Sequence, residues 1–230
     1  MPAHVESGFF AFKTESRFSP MNKKLHVIST GQQPLAKFVS IAALIHEDVD
    51  AFHLRETSWS ARELVNAIDF LSVKGVPLEK IIVNDRIDVA HSMKVRGVQL
   101  SHHSLRVSTV KKSFPTLQIG CSIHTLGGAI QAAEMGADYL LYGHVFPTSS
   151  KQGITPKGLD GLKEITEQVT IPVIAIGGIT PENARDALTM GVEGIAVLSG
   201  ILLATDPLKA VKDYKEKMEA DTCYQMEQNT

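Results

Sequence analysis

Eight short, apolar, partly β-branched runs recur along the chain, roughly 20–35 residues apart, with helix-like segments between them. They are LHVIS at 25–29, AFHLRE at 51–56, IIVN at 81–84, GVQL at 97–100, LQIGCS at 117–122, DYLLYG at 138–143, PVIAIGG at 172–178 and GIAVLSG at 194–200. Such runs are too apolar to leave one face wet, so the sheet they form must be parallel and covered by helices. The intervening segments support this: SARELVNAIDFLSVKG and TLGGAIQAAEMGA place apolar residues at i, i+3, i+4 and i+7 and close on glycine. Thr180-Pro181-Glu182 reads as a helix start, with an N-cap, a proline at the first helical position and an acid in the first turn.

Eight units in about 200 residues favour a closed barrel over an open doubly wound sheet, which has no reason to stop at eight. The open alternative also wants a glycine-rich fingerprint after the first strand, and Ser29-Thr30-Gly31-Gln32-Gln33-Pro34 has none. The expected fold is therefore α/β, a single-domain (βα)8 TIM barrel. Residues 21–218 form the barrel in this reading. Residues 1–20 read as a disordered N-terminal extension and 219–230 as a tail to a final charged helix. His4, Glu6, Lys13, Glu15 and Arg17 interrupt the first twenty residues, leaving no continuous apolar segment for a signal peptide.

Composition narrows the partners. A formal net charge of −2 lacks the basic excess of a nucleic-acid binder, and no apolar run reaches the ~18 residues that cross a bilayer. Cys121 and Cys223 form no CxxC pair, so neither a disulfide framework nor structural zinc is indicated, and a reducing cytoplasmic compartment is the simplest expectation. Oligomeric state is left open, a homodimer included.

In a (βα)8 barrel the active site is built from the loops after the strands. The polar residues there are His53, Arg55 and Glu56, then Asn84, Asp85 and Arg86, Ser101 to Ser104, Ser122 and His124, His144, Thr148 and Lys151, Gly177-Gly178, and Ser199-Gly200. The glycine pair after the seventh strand and Ser-Gly after the eighth point to a phosphate held on backbone N–H groups, although glycines also make tight turns. His124 suits acid–base work, because an imidazole titrates near ~6.5. Arg55 ends an apolar strand, where its charge needs an anion or a partner such as Glu56 or Asp85. Asp85 alone makes a poor magnesium site, and Asp88 belongs to the next helix. His102 and His103, taken as extended, point opposite ways, so zinc is not expected. Cys121 reads as a buried small hydrophobe.

From about Met21 to Lys217 the chain resembles the thiamin phosphate synthase superfamily, through HLRE at 53–56, VNDRIDVA at 83–90, GVQL at 97–100, GCSIHTL at 120–126, DYLLYGHVFPTSSK at 138–151, IPVIAIGGITPEN at 171–183 and GIAVLSGI at 194–201. The resemblance implies a barrel holding a thiazole phosphate at the loops after strands seven and eight. It covers two activities. The synthase joins an aminopyrimidine diphosphate to a thiazole phosphate with Mg2+, releasing pyrophosphate; the tautomerase isomerises a carboxythiazole phosphate to its aromatic form without metal.

Where the synthase pattern after strand two runs Gln-x-Arg-Glu-Lys, this chain has His53-Leu54-Arg55-Glu56-Thr57. After strand four the synthase pattern ends on an Asp that binds magnesium, and this chain has Ser104. Each loss weakens a diphosphate–metal site. Asn84-Asp85 and Thr148-Ser149-Ser150-Lys151 still look synthase-like, whereas His-x-Arg-Glu, Ile-Gly-x-Ser-x-His-x-Leu and Gly-His-Val-Phe resemble the tautomerase more closely.

The expected activity is accordingly an isomerase, the thiazole tautomerase, with His124 as proton shuttle. Gly177, Gly178, Ser199 and Gly200 would bind phosphate; His53, Arg55, Asn84, Ser122, Thr148 and Lys151 would contact substrate; no metal or cofactor is expected. The alternatives are the synthase and a non-catalytic regulator that binds thiazole phosphate.

Overall fold

The computed structural model describes residues 23–228, and side chains as far as residue 219. The expected extension over residues 1–20 lies outside them. The first half runs β1 (Lys24–Ile28), α1 (Leu35–Ile45), β2 (Ala51–Leu54), α2 (Ala61–Val73), β3 (Ile81–Asn84), α3 (Ile87–Ser92), β4 (Gly97–Leu100) and α4 (Val107–Ser113). The second runs β5 (Gln118–Ile123), α5 (Leu126–Glu134), β6 (Tyr139–Gly143), α6 (Gly158–Gln168), β7 (Val173–Ile176), α7 (Ala184–Leu188), β8 (Gly194–Val197), α8 (Ser199–Leu202) and α9 (Pro207–Gln228). All eight strands pair in parallel in chain order, and β8 returns to β1 through Leu25↔Ile195 and His26↔Ala196, closing the barrel. The (βα)8 expectation is met, with strand ends shifted by a residue or two.

Alternation divides each strand between two cores. Ile28, Ala51, Ile82, Tyr139, Leu141, Ile174 and Ala196 cluster inside the barrel. Their neighbours Val27, Phe52, Ile81, Val83, Leu140, Val173 and Ile195 face the helices and join the larger outer core. Continuous apolar runs are thus needed because both faces are buried.

Local chemistry fixes the helix starts. Ser60 and Glu63 form a reciprocal capping box on α2, Glu63 N donating to Ser60 Oγ at 3.3 Å and Ser60 N to Glu63 Oε2 at 2.7 Å. Thr125 caps α5 through Gly128 N at 3.2 Å. The Thr180 start is displaced: residues 180–183 make a turn and the α7 ladder begins at Ala184. The reason is Asn183, whose Oδ1 accepts from Thr180 N at 2.8 Å and whose Nδ2 donates to Gly178 O at 2.9 Å, tying the turn to the strand end. Helix α9 carries helical structure past residue 218. No helix among the described residues is long and apolar enough to cross a membrane.

Candidate active site

The C-terminal strand ends gather the residues singled out from the sequence, but at different depths. Arg55 is exposed and makes no ion pair among the described residues. The suggested Arg55–Glu56 pair does not form, because Glu56 turns inward, 9% exposed, and accepts from Gly31 N at 3.3 Å. Asn84 is half-buried at the end of β3, and Asp85 beyond it is exposed with φ 62, a left-handed backbone uncommon outside glycine. Its amide donates to Gln99 O at 2.9 Å, which pins this strand end to β4. Asp88 lies in the first turn of α3 and pairs with Arg86, as expected for a helix residue.

His53 departs from its expected place. It is 1% exposed, inside the barrel beneath the mouth, where its Nε2 meets His26 Nδ1 at 3.0 Å. Its inward direction follows from the register that puts it beside Ile28. Burial, then His26 and Arg96, hold its pKa well below the usual imidazole value, so the ring is neutral, and its Nδ1 has no hydrogen-bond partner. His102 and His103 do not point apart: residues 102–103 form a turn, not an extended segment, and the rings approach with centroids 3.7 Å apart. No group of three or more His, Cys, Asp or Glu able to hold a metal occurs among the described residues.

His124 stands at the mouth, just past β5. Its Nδ1 lies 2.6 Å from Gly143 O; the carbonyl can only accept, so Nδ1 carries the hydrogen and Nε2 keeps its lone pair. Burial lowers the ring's pKa, the bond to Gly143 works against that, and Lys151, Lys157 and His102 lower it further. A neutral imidazole in a positive field results. Cys121 is half-buried against the outer core, with its thiol pKa raised by burial.

The loop after β6 forms one wall. Thr148 caps a single 3-10 turn, Ser149–Lys151, and exposed Lys151 borders an open cleft of about 440 Å³ with Thr148, Gly153 and Ile154. His144 serves the wall rather than the cleft, being 4% exposed with Nε2 3.2 Å from Ile154 O.

The loop after β7, packed directly against the β6 loop, is built on glycine. Gly177 and Gly178 have φ of 98° and 69°, and a Cβ on either would overlap the β6 loop: His144 for Gly177, the Pro147 carbonyl for Gly178. Both φ > 0 and close approach therefore demand glycine here. After β8 the chain enters the short helix α8, and Ser199 and Gly200 are exposed at its start. Gly200 has a second reason to be glycine, since a Cβ would strike the Tyr214 hydroxyl. Tyr214, reaching in from α9, donates to Ile179 O at 2.9 Å and so braces the loops after β7 and β8 together. Nothing in a charged C-terminal helix marks that role in the sequence. Gln99 and Tyr139 also escaped notice, although a glutamine in the middle of GVQL was a signal.

Comparison with known proteins bears on this arrangement. The sequence profile described as thiamine monophosphate synthase matches residues 25–201. The thiamine-phosphate synthase of Methanococcus vannielii is 33% identical over 198 residues, 85% of this chain and 95% of that protein. That of Pyrococcus furiosus is 44% identical over 137 residues, which span 60% of this chain and 66% of the relative's length. A solved thiamine phosphate pyrophosphorylase from Pyrococcus furiosus superposes with a TM-score of 0.74 at 33% identity, covering 86% of this chain and 96% of its own. These relatives overturn the tautomerase expectation and, with it, the isomerase class: over nearly full length they carry the name of a synthase. The chain belongs to the thiamine monophosphate synthase family.

Proposed function

We propose that this protein is a thiamine-phosphate synthase, joining a thiazole phosphate to an aminopyrimidine diphosphate with release of pyrophosphate. The observation that carries this reading is the match to the Methanococcus vannielii enzyme over 85% of this chain and 95% of that protein, beside a family profile that runs over residues 25–201. The geometry supports it by setting glycine-rich loops after β7 and β8 beside the lysine-bearing loop after β6 at one mouth.

Backbone amides around Gly177, Gly178, Ser199 and Gly200 would hold the thiazole phosphate; loops after strands seven and eight with a short extra helix are the usual phosphate seat of this fold. In the loop after β6, Lys151 and Thr148 would meet the diphosphate, with Asn84 and Arg55 at the rim and Ser122 at the end of β5. His124, neutral and with Nε2 as an acceptor, would orient the substrate between them. Bond formation needs a thiazole ring nitrogen beside the carbon that loses the diphosphate, so positioning and neutralisation of the leaving group are what these residues supply.

The absence of a metal was an expectation tied to the tautomerase and falls with it. Magnesium is commonly held by one or two carboxylates plus substrate phosphates. Exposed Asp85 fits as the single carboxylate, and bound Mg2+ would neutralise charge on the departing diphosphate. Ser104 offers no second charge, and its Oγ accepts from Ser101 N at 2.8 Å. Ser104→Asp is therefore expected to lower the Mg2+ concentration for half-maximal rate by about tenfold. A magnesium titration of both proteins reads this directly, and unchanged half-saturation would refute it.

The function itself is tested by supplying both substrates with Mg2+ and following pyrophosphate release. Turnover at enzymic rates is expected; none would overturn the reading. In the same assay Lys151→Ala should raise KM for the diphosphate by about tenfold while sparing KM for the thiazole phosphate.

A further inference from the structure

A hydrogen-bonded chain crosses the barrel interior beneath the mouth. Tyr139 on β6 donates from Oη to Gln99 Oε1 on β4 at 2.7 Å, and Gln99 donates from Nε2 to Ser122 Oγ on β5 at 3.0 Å. The two inner members are buried, Tyr139 3% and Gln99 2% exposed, and Ser122 opens at the mouth. Gly120 lies between them because a Cβ there would overlap both the Tyr139 ring and the Gln99 side chain. The space for this chain is thus built into the sequence at a fourth position.

Donor accounting gives the chain a direction. A flipped Gln99 amide would donate to Tyr139 Oη and accept from Ser122, leaving the Tyr139 hydrogen to find another acceptor. The neighbouring rings of His26 and His53 stand edge-on, with centroids 6.0 and 6.5 Å from the Tyr139 ring, and neither nitrogen pair makes a hydrogen bond to it. A buried hydroxyl hydrogen without an acceptor is costly, which selects the unflipped amide. Burial also keeps the phenol protonated, raising its pKa well above the usual value. In the unflipped state Ser122 Oγ has already accepted a hydrogen bond from within, so its own hydrogen is the one left to donate toward the mouth.

We infer that Tyr139 and Gln99 are positioning residues that turn the Ser122 hydroxyl outward as a donor to a phosphate oxygen of the substrate. The anionic acceptor is indicated by the cations Lys151 and Lys157, whose charges act on His124 two residues further along. The inference rests on the synthase reading for the identity of that anion, and pyrophosphate, the leaving group, is the natural probe. Without the Tyr139 hydroxyl the amide loses its anchor, and the flipped form, in which Ser122 donates inward and presents only lone pairs to the ligand, becomes populated.

The test is equilibrium binding of inorganic pyrophosphate at fixed Mg2+ to wild type, Tyr139→Phe, Ser122→Ala and the double variant, by calorimetry. Each single substitution is expected to weaken binding by about fivefold, and the double variant should bind no more weakly than Ser122→Ala alone. Unchanged binding in Tyr139→Phe would overturn the inference. So would a double variant whose loss is the product of the two single losses, since a packing role for the ring would add independently. A wild type that does not bind pyrophosphate at millimolar concentration would overturn it too. Should Tyr139→Phe fail to fold, Gln99→Met in the same cycle decides, with the same non-additivity expected. Turnover is not needed for this readout. Non-additive binding without coupling activity would count against the synthase reading alone, and additive binding with coupling intact against the positioning alone.

Discussion

Gly178→Ala lowers stability by about 3 kcal/mol and raises KM for the thiazole phosphate at least about tenfold, the expected result of placing one methyl group against two backbone carbonyls. Two effects combine at this position. The φ of 69° lies where an L side chain meets its own carbonyl, and the new Cβ would overlap Pro147 O and press on Phe146 O, 2.7 Å away. Neither neighbour is the end of a flexible side chain, so relief requires the β6 and β7 loops to separate. Both loops carry site residues, and Phe146 N donates to Gly177 O at 2.9 Å across the seam that would open. Gly127→Ala is the control: that glycine lies in α5 with nothing within 4 Å of a Cβ, so alanine there should be neutral or stabilise by about 0.5 kcal/mol. Chemical denaturation of both variants decides; if they behave alike, the close approach of the loops carries no energetic weight.

Acid is expected to destabilise the barrel well before its carboxylates titrate. Burial, helped by Arg96 and Lys24, lowers the pKa of His26 to about 3, and burial with His26 and Arg96 holds that of His53 well below the usual value. A histidine whose folded pKa lies below its unfolded value, near ~6.5, takes up a proton on unfolding. Their neutral burial is therefore without penalty above that pH, and stability declines as pH falls through it, toward the folded pKa. For the two rings together the loss from pH 7 to 5.5 is about 2 kcal/mol. Urea midpoints across this range measure it, and a flat profile would refute it. His53→Gln removes one of the two titrations and should roughly halve the slope, which separates this pair from the exposed histidines.

Much of this architecture was legible in one dimension. Strand positions were found because a parallel barrel buries both strand faces, which writes a continuous apolar run that needs no partner to be recognised. Capping chemistry is similarly local, as the Ser60–Glu63 box at the start of α2 shows. The Thr180 start is displaced by three residues because Asn183 takes part in a bond to Gly178 that helix periodicity does not encode. His102 and His103 were misread for a related reason: their divergence assumed an extended segment, and the chain turns there.

The site divides along the same line. The glycine pair after β7 was visible, because few uses other than a φ > 0 turn or a close approach call for adjacent glycines at a strand end. The depth of each polar residue was not. His53 and Arg55 are two residues apart, yet His53 lies within β2 and is enclosed with His26, while Arg55 follows the last residue of the strand and is exposed. The substitutions at 53, 57 and 104 suggested a different chemistry, and near-full-length likeness to synthases outweighs them.

The sequence by itself determined the strand order, the class of the fold and the loops that would carry chemistry, because each depends on residues within a few positions of one another. Only the tertiary structure decided which polar residues line the interior and which reach the mouth. It alone joined Tyr139, Gln99 and Ser122 into one directed chain and set Tyr214 behind the phosphate loops. Those contacts span 23 to 40 positions of sequence and exist only once closure of the barrel fixes the register of every strand against its neighbours.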